Sequence, residues 1–172
     1  LENVVEQFLR LARPSELDLT EVEVPRIVHH VCELLRPEAA ARDIEIIPKL
    51  SEGLPPVLAD GGRLTQALLN LTINALQAVE KSGRISVRAG GTVAGFITIE
   101  VHDSGPGVPV ARQAAIFEPY FTTKPEGSGL GLWIAQQIAL AHGGEIRVAN
   151  APEGGALFTL LLPLRKRESI DG

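Results

Sequence analysis

The stretch from Gly62 to Lys81 carries the most restrictive pattern in the chain. At about 100° per residue, Arg63, Gln66, Asn70, Asn74, Gln77 and Lys81 share a stripe roughly 80° wide. Leu64, Leu68, Leu69, Leu71, Ile73, Leu76 and Val79 fill much of the remainder, with Thr65, Thr72 and Glu80 as polar breaks. A helix divided in this way buries one side in a core and turns the stripe toward water or a cavity. Asparagine is a poor helix former, so two of them at i and i+4 call for a reason. The stripe is either a plain solvent face or a cavity wall. In the second case Asn70 and Asn74 offer carboxamide oxygens to a hard cation such as Mg²⁺, which takes few protein ligands and keeps waters and phosphates.

The rest of the chain supplies layers for that helix to pack on. Residues 24–35 form an amphipathic helix, with Pro25 in its first turn and Ile27, Val28, Val31, Cys32, Leu34 and Leu35 on one face. Strands are expected at 44–50, 57–59, 84–89, 96–101, 145–149 and 156–162, and a further helix over 130–141 stopped by Gly143-Gly144. Mixed helices and antiparallel hairpins imply an α+β fold, a two-layer sandwich with helices backing a mixed, mostly antiparallel sheet. Ahead of it, Leu1 to Arg13 repeats apolar residues at heptad-like spacing, and Pro14 begins a short linker. The expected organisation is 1–19 as helix end and linker, 20–165 as the main domain and 166–172 as a tail.

Composition narrows the partners. A net charge of −5 argues against a nucleic-acid footprint, which needs a basic face. The lone Cys32 excludes a disulfide framework and fits a reducing compartment. With no long apolar run, no membrane contact is expected from this stretch, and its expected location is the cytoplasm. The chain has no methionine and starts at Leu1, so it is expected to be part of a longer protein.

Two glycine turns carry further chemistry. Asp103-Ser104-Gly105-Pro106-Gly107 follows a strand, and Asp103 at a buried strand end would need a hydrogen-bond donor such as an adenine amino group. Taken alone the segment also reads as a tight turn. Gly127-Ser128-Gly129-Leu130-Gly131-Leu132 opens a helix, whose free N–H groups attract phosphate. It matches neither the Walker P-loop nor the dinucleotide fingerprint. Between the turns, the irregular stretch 108–127 reads as a mobile lid, from which Lys124 could reach a phosphate.

In this order and spacing the motifs resemble the catalytic, ATP-binding domain of bacterial sensor histidine kinases. Asn70 to Ala75 matches the N box, Asp103 to Gly107 the G1 box, Ile116 to Lys124 the F box and Gly127 to Leu132 the G2 box. Ala141-His142-Gly143-Gly144 is also typical. Phe117 to Lys124 and Leu11-Ala12-Arg13-Pro14 resemble the nitrogen-regulation sensor type. The family's fold is the Bergerat sandwich, with ATP between the N-box helix and a lid.

The resemblance implies that Asn70 and Asn74 position Mg²⁺ and the phosphates, and that Asp103 reads the adenine. Gly105, Gly107, Gly127, Gly129 and Gly131 would shape the pocket, with Leu130, Leu132, Thr123 and Lys124 beside the nucleotide. Many members carry Lys or Arg shortly after the second asparagine; here Gln77 stands there, and Lys81 lies a turn further on. The reaction implied is transfer of the ATP γ-phosphoryl group to a histidine of a dimerisation hairpin in a homodimeric parent, with a response-regulator receiver domain downstream. None of His29, His30, His102 and His142 has the family's acceptor pattern, so that histidine is expected upstream of Leu1. His142, near a helix C-terminus, reads as a place where positive charge is welcome. Three other readings stand beside this one: a non-catalytic nucleotide-binding interaction module, a serine kinase of the anti-sigma-factor type, and an ATPase. Related ATPases carry a general-base Glu where this chain has Asn70, which disfavours the last.

Overall fold

A computed structural model describes residues 16–125 and 127–165. The helix expected over Leu1 to Arg13 and the tail 166–172 lie outside the described residues. The chain opens with β1 (Thr20–Val22), α1 (Val24–Ala41), β2 (Ile44–Leu50) and β3 (Val57–Ala59). The long helix α2 (Gly61–Val79) follows, then β4 (Gly83–Val93) and β5 (Phe96–Asp103). Two short 3₁₀ turns at Val110–Arg112 and Ala115–Phe117 precede α3 (Gly131–Ala141), β6 (Glu145–Asn150) and β7 (Ala156–Pro163).

The main sheet is open and runs β2-β4-β5-β7-β6. Only β2 and β4 are parallel, and α2 lies on the crossover between them; the other pairs are antiparallel. Alternation along the strands explains the layering. Ile97, Ile99 and Val101 of β5 and Ala156, Phe158, Leu160 and Leu162 of β7 are buried, while the residues between them are only partly covered. The three helices pack on the buried face, so the expected helix-backed mixed sheet is the observed one. The strand β1, too short to show a period in the sequence, pairs antiparallel with β3 in a separate two-stranded sheet.

Helix α2 starts and stops for local reasons. Asp60 accepts a hydrogen bond from the Arg63 N–H at 3.1 Å, closing the first turn. Leu64, Ala67, Leu68, Leu71, Ala75 and Leu76 are buried, and the Thr72 hydroxyl answers its burial by donating to the Leu68 carbonyl at 2.8 Å. The helix ends at Val79, two residues earlier than the pattern predicts, because Glu80 (φ 60°) and Ser82 (φ 51°) turn the chain into left-handed backbone. Arg42 covers the freed carbonyls, donating to Leu76 at 2.7 Å and to Glu80.

The sequence also underestimates the hairpin of β4 and β5. Both strands run longer than expected, around a tight turn at Ala94 and Gly95, each at positive φ. A register shift between Ala89 and Thr92 hides the extension from a simple alternation count.

Candidate functional site

The inward alternation of β5 does not stop at its last apolar residue. After Ile97, Ile99 and Val101, the next inward position is Asp103, which is 1% exposed. Its Oδ1 accepts from the Gly105 N–H at 2.8 Å and from the Ala156 N–H at 3.3 Å. Oδ2 is the one buried side-chain polar atom among the described residues left without a partner. Burial pushes the Asp103 pKa above the ordinary 3.8, against the pull of the Gly105 and Ala156 N–H groups, His102 and Lys124. A buried carboxylate with one open oxygen is costly unless something donates to it.

The hairpin of β6 and β7 closes on this carboxylate from the other side. Gly155, at φ 83°, comes so near that a methyl group there would lie 1.7 Å from the Asp103 carbonyl oxygen. No sequence signal marked Gly155 for this role, because it reaches Asp103 only across the sheet.

A cavity of about 250 Å³ opens between α2, the segment after Ile116 and the start of α3. From α2 it is lined by Asn70, Ile73, Asn74 and Gln77. The loop contributes Ile116, Phe121, Thr122, Thr123 and Lys124, and the second glycine turn contributes Gly127, Ser128, Gly129, Gly131 and Leu132. Asn70 Nδ2 donates to the Gly131 carbonyl at 3.1 Å, which ties the helix to that turn. Lys124 Nζ donates to Gln77 Oε1 at 2.9 Å across the cavity. Burial lowers the Lys124 pKa below its ordinary value, and the Asp103 charge raises it in part.

The loop over the cavity is anchored at several points. Phe117 meets Phe158 of the core edge to face, with ring centroids 6.2 Å apart. The Tyr120 N–H donates to the Gly129 carbonyl at 2.9 Å.

Most of the residues singled out from sequence therefore meet in one place, with exceptions. Lys81 stands on the exposed turn after α2 and does not line the cavity, since the helix that would have carried its stripe ends at Val79. Leu130 is buried as the residue preceding α3, which begins at Gly131 instead of Leu130. Asp103, Gly105 and Gly107 form the adjacent turn and are not cavity-lining residues. Ile73, counted by its apolar character with the core side of the helix, lines the cavity beside Asn70, Asn74 and Gln77. Ile116, Phe121, Thr122 and Ser128, inside the matched motifs but given no role of their own there, line the cavity as well.

The four histidines have different surroundings. His142 is buried, its Nδ1 paired with the Ile138 carbonyl at 2.8 Å and its Nε2 accepting from the Asp60 N–H at 3.0 Å. The ring caps the end of α3 and links it to the start of α2. His29 and His30 are exposed on α1, and His102 pairs with the Gly154 carbonyl at 2.9 Å.

The donors suit a cation that brings its own ligands. The cavity presents the neutral oxygens of Asn70, Asn74 and Gln77 and no carboxylate. No group of three or more His, Cys, Asp or Glu could hold a metal among the described residues. Such a wall fits Mg²⁺ carried by phosphates better than a protein-caged ion.

Comparison with known proteins agrees with this geometry. The family model described as "Histidine kinase-, DNA gyrase B-, and HSP90-like ATPase" matches residues 59–166. The chain is 44% identical over 164 residues to the sensor histidine kinase ZraS of Escherichia coli O157:H7, covering 95% of this chain and 36% of that protein. It thus spans about a third of the length of the curated relatives it matches. Among solved structures it is similar to full-length ShkA in complex with AMPPNP, with TM-score 0.85, 36% identity, and coverage of 96% of this chain and 36% of that one. The nucleotide-free catalytic domain of histidine kinase ThkA superposes with TM-score 0.80 at 30% identity, covering 86% of this chain and 97% of that one. ThkA has also been solved in complex with the response regulator protein TrrA; that match has TM-score 0.81 at 29% identity, covering 96% of this chain and 48% of that one.

Proposed function

Because this chain belongs to the family of histidine kinase-, DNA gyrase B- and HSP90-like ATPases, we propose that its residues 20–165 are the ATP-binding catalytic unit of a two-component sensor histidine kinase. The observation that carries the reading is the open Oδ2 of buried Asp103, on a turn whose Gly105 lies against Ala78 of α2, the helix whose asparagines line the cavity. An adenine amino group is a donor of the right kind for that oxygen. The triphosphate then extends along Asn70, Asn74 and Gln77 toward the N-terminus of α3, where free N–H groups favour anions. Lys124 exchanges its bond to Gln77 for a phosphate oxygen. Asn70 and Asn74 would hold Mg²⁺, which would neutralise phosphate charge.

The reaction proposed for the parent protein is in-line phosphoryl transfer. An imidazole nitrogen bonds to the γ-phosphorus, the bond to the bridging oxygen breaks, and ADP leaves. This chemistry depends on alignment and charge neutralisation more than on a general base. Asn70 supports transfer to histidine over hydrolysis, because a neutral carboxamide is a poor base for activating water. The partners proposed are the histidine-bearing dimerisation hairpin of the same protein, a second copy through that hairpin, and a receiver domain of the kind named with ThkA. The nitrogen-regulation sensor subtype rests on Phe117 to Lys124 and the 11–14 linker alone. Among the described residues no helix is long and apolar enough to cross a membrane, and a cytoplasmic location for this unit is part of the proposal.

The test is transfer in trans. With γ-labelled ATP, Mg²⁺ and a separately made histidine-bearing hairpin from a family member, acid-labile label is expected on the hairpin and not on this chain. Label on His29, His30, His102 or His142 contradicts the proposal. Nucleotide binding with no transfer to any hairpin would favour the interaction-module reading.

A further inference from the structure

One rung of the hairpin of β6 and β7 grips both ends of the glycine turn that follows Asp103. The rung is the pair Asn150 and Ala156. On one side the Ala156 N–H reaches Asp103 Oδ1 at 3.3 Å. On the other, Asn150 takes hold of Val108, the first residue after the turn. Its Oδ1 accepts from the Val108 N–H at 2.8 Å and its Nδ2 donates to the Val108 carbonyl at 2.9 Å. Gln113 Nε2 adds a third bond, to the same carbonyl, at 3.2 Å. A carboxamide that satisfies both polar groups of one residue fixes its rotation as well as its place. The fit is close: a methyl group on Gly107 would lie 2.6 Å from Asn150 Oδ1.

We infer that Asn150 is a positioning residue for base recognition, holding the turn 105–107 in register with the open oxygen of Asp103. The inference rests on the proposed nucleotide site and adds to it a residue that touches no part of the ligand. Asp103 alone fixes one atom that a base can contact. A flat base also needs the backbone beside that atom at a set distance, and Asn150 sets it from the far end of the turn. Asn150 is solvent-exposed, so its bonds exchange with water and contribute little to global stability. Removing them loosens the turn and leaves the core intact.

The test compares ADP with IDP, each with Mg²⁺, by calorimetric titration of the 172-residue chain and its variants. IDP has a carbonyl acceptor where ADP has the amino donor, so its exocyclic group cannot donate to Asp103. The unsubstituted chain is expected to prefer ADP. Asn150→Ala is expected to reduce that preference about tenfold, as the loss of two modest hydrogen bonds allows. IDP affinity should change less than about twofold, and Tm by no more than a few degrees. Asn150→Asp keeps the size and the acceptor but loses the donor, so it should fall between the two and guards against a misfolded alanine variant. An unchanged ADP preference in both variants, or equal weakening of ADP and IDP, overturns the inference. Failure of the unsubstituted chain to bind either nucleotide, or equal binding of both, is a different result: it removes the base-recognition site itself, and this inference with it.

Discussion

Asp103 and Cys32 are both buried titratable groups, and their surroundings give them opposite roles. Asp103 has an unpaired oxygen, and its pKa is raised by burial. A ligand that donates to the carboxylate favours the ionised form, so binding must weaken as protons compete. ADP affinity is therefore expected to fall as pH drops below neutrality toward the carboxylate range, and the fall should begin above the ordinary 3.8. The stability of the free chain has the opposite sign. With the folded pKa above the unfolded one, the burial penalty is fully present above the raised pKa and is relieved as pH falls through it. Titration calorimetry and urea unfolding across that window check both signs; an ADP affinity that rises on acidification contradicts the assignment. Cys32 has no such opening. Burial on α1 pushes its thiol up to about 11, with Arg36 opposing and Glu33 assisting. It should resist iodoacetamide at pH 8 in the native chain and react once urea unfolds it. Rapid native labelling, followed by mass spectrometry, would contradict its placement.

Between elements, the junction of α2 with α3 sets the frame of the site. His142 at the end of α3 accepts from Asp60, and Asp60 both closes the first turn of α2 and accepts from the Asp18 N–H at 3.1 Å. At the other end of α3, Gly131 receives Asn70. Replacing His142 with alanine opens a buried space and leaves the Asp60 N–H and Ile138 carbonyl without partners. The expected cost is about 3 kcal/mol, read as a lowered urea midpoint; an unmoved midpoint would show that the imidazole bonds do not hold the junction. Which of these features could be read from sequence follows from distance along the chain. The polar stripe of α2 was legible because Asn70, Asn74 and Gln77 repeat at helical spacing within one element. The end of α2 at Val79 was not, because Arg42, a residue from the turn after α1, caps it. Asp103 was recognisable as a buried strand end from the alternation of β5. Its supports, Gly155 and Ala156, meet it only when β7 pairs with β5, and local spacing carries no trace of that pairing.

At the scale of the whole chain, the sheet is a platform that brings two separate glycine turns to one side of α2. Its order, β2-β4-β5-β7-β6, puts the carboxylate of β5 beside the hairpin of β6 and β7. The same helical layer places the asparagines of α2 against the start of α3. The proposed division of labour follows: the sheet side reads the base, the helix side holds phosphates and Mg²⁺, and the acceptor comes from another unit. The central claim is that this arrangement binds an adenine nucleotide through Asp103. Its most direct test is calorimetric titration of the chain with ADP or ATP and Mg²⁺, with Asp103→Asn as control. The account predicts saturable one-to-one binding that the asparagine variant loses by about a hundredfold or more, since its amide turns a donor toward the adenine amino group. No binding by the unsubstituted chain, or equal binding by both, would contradict it.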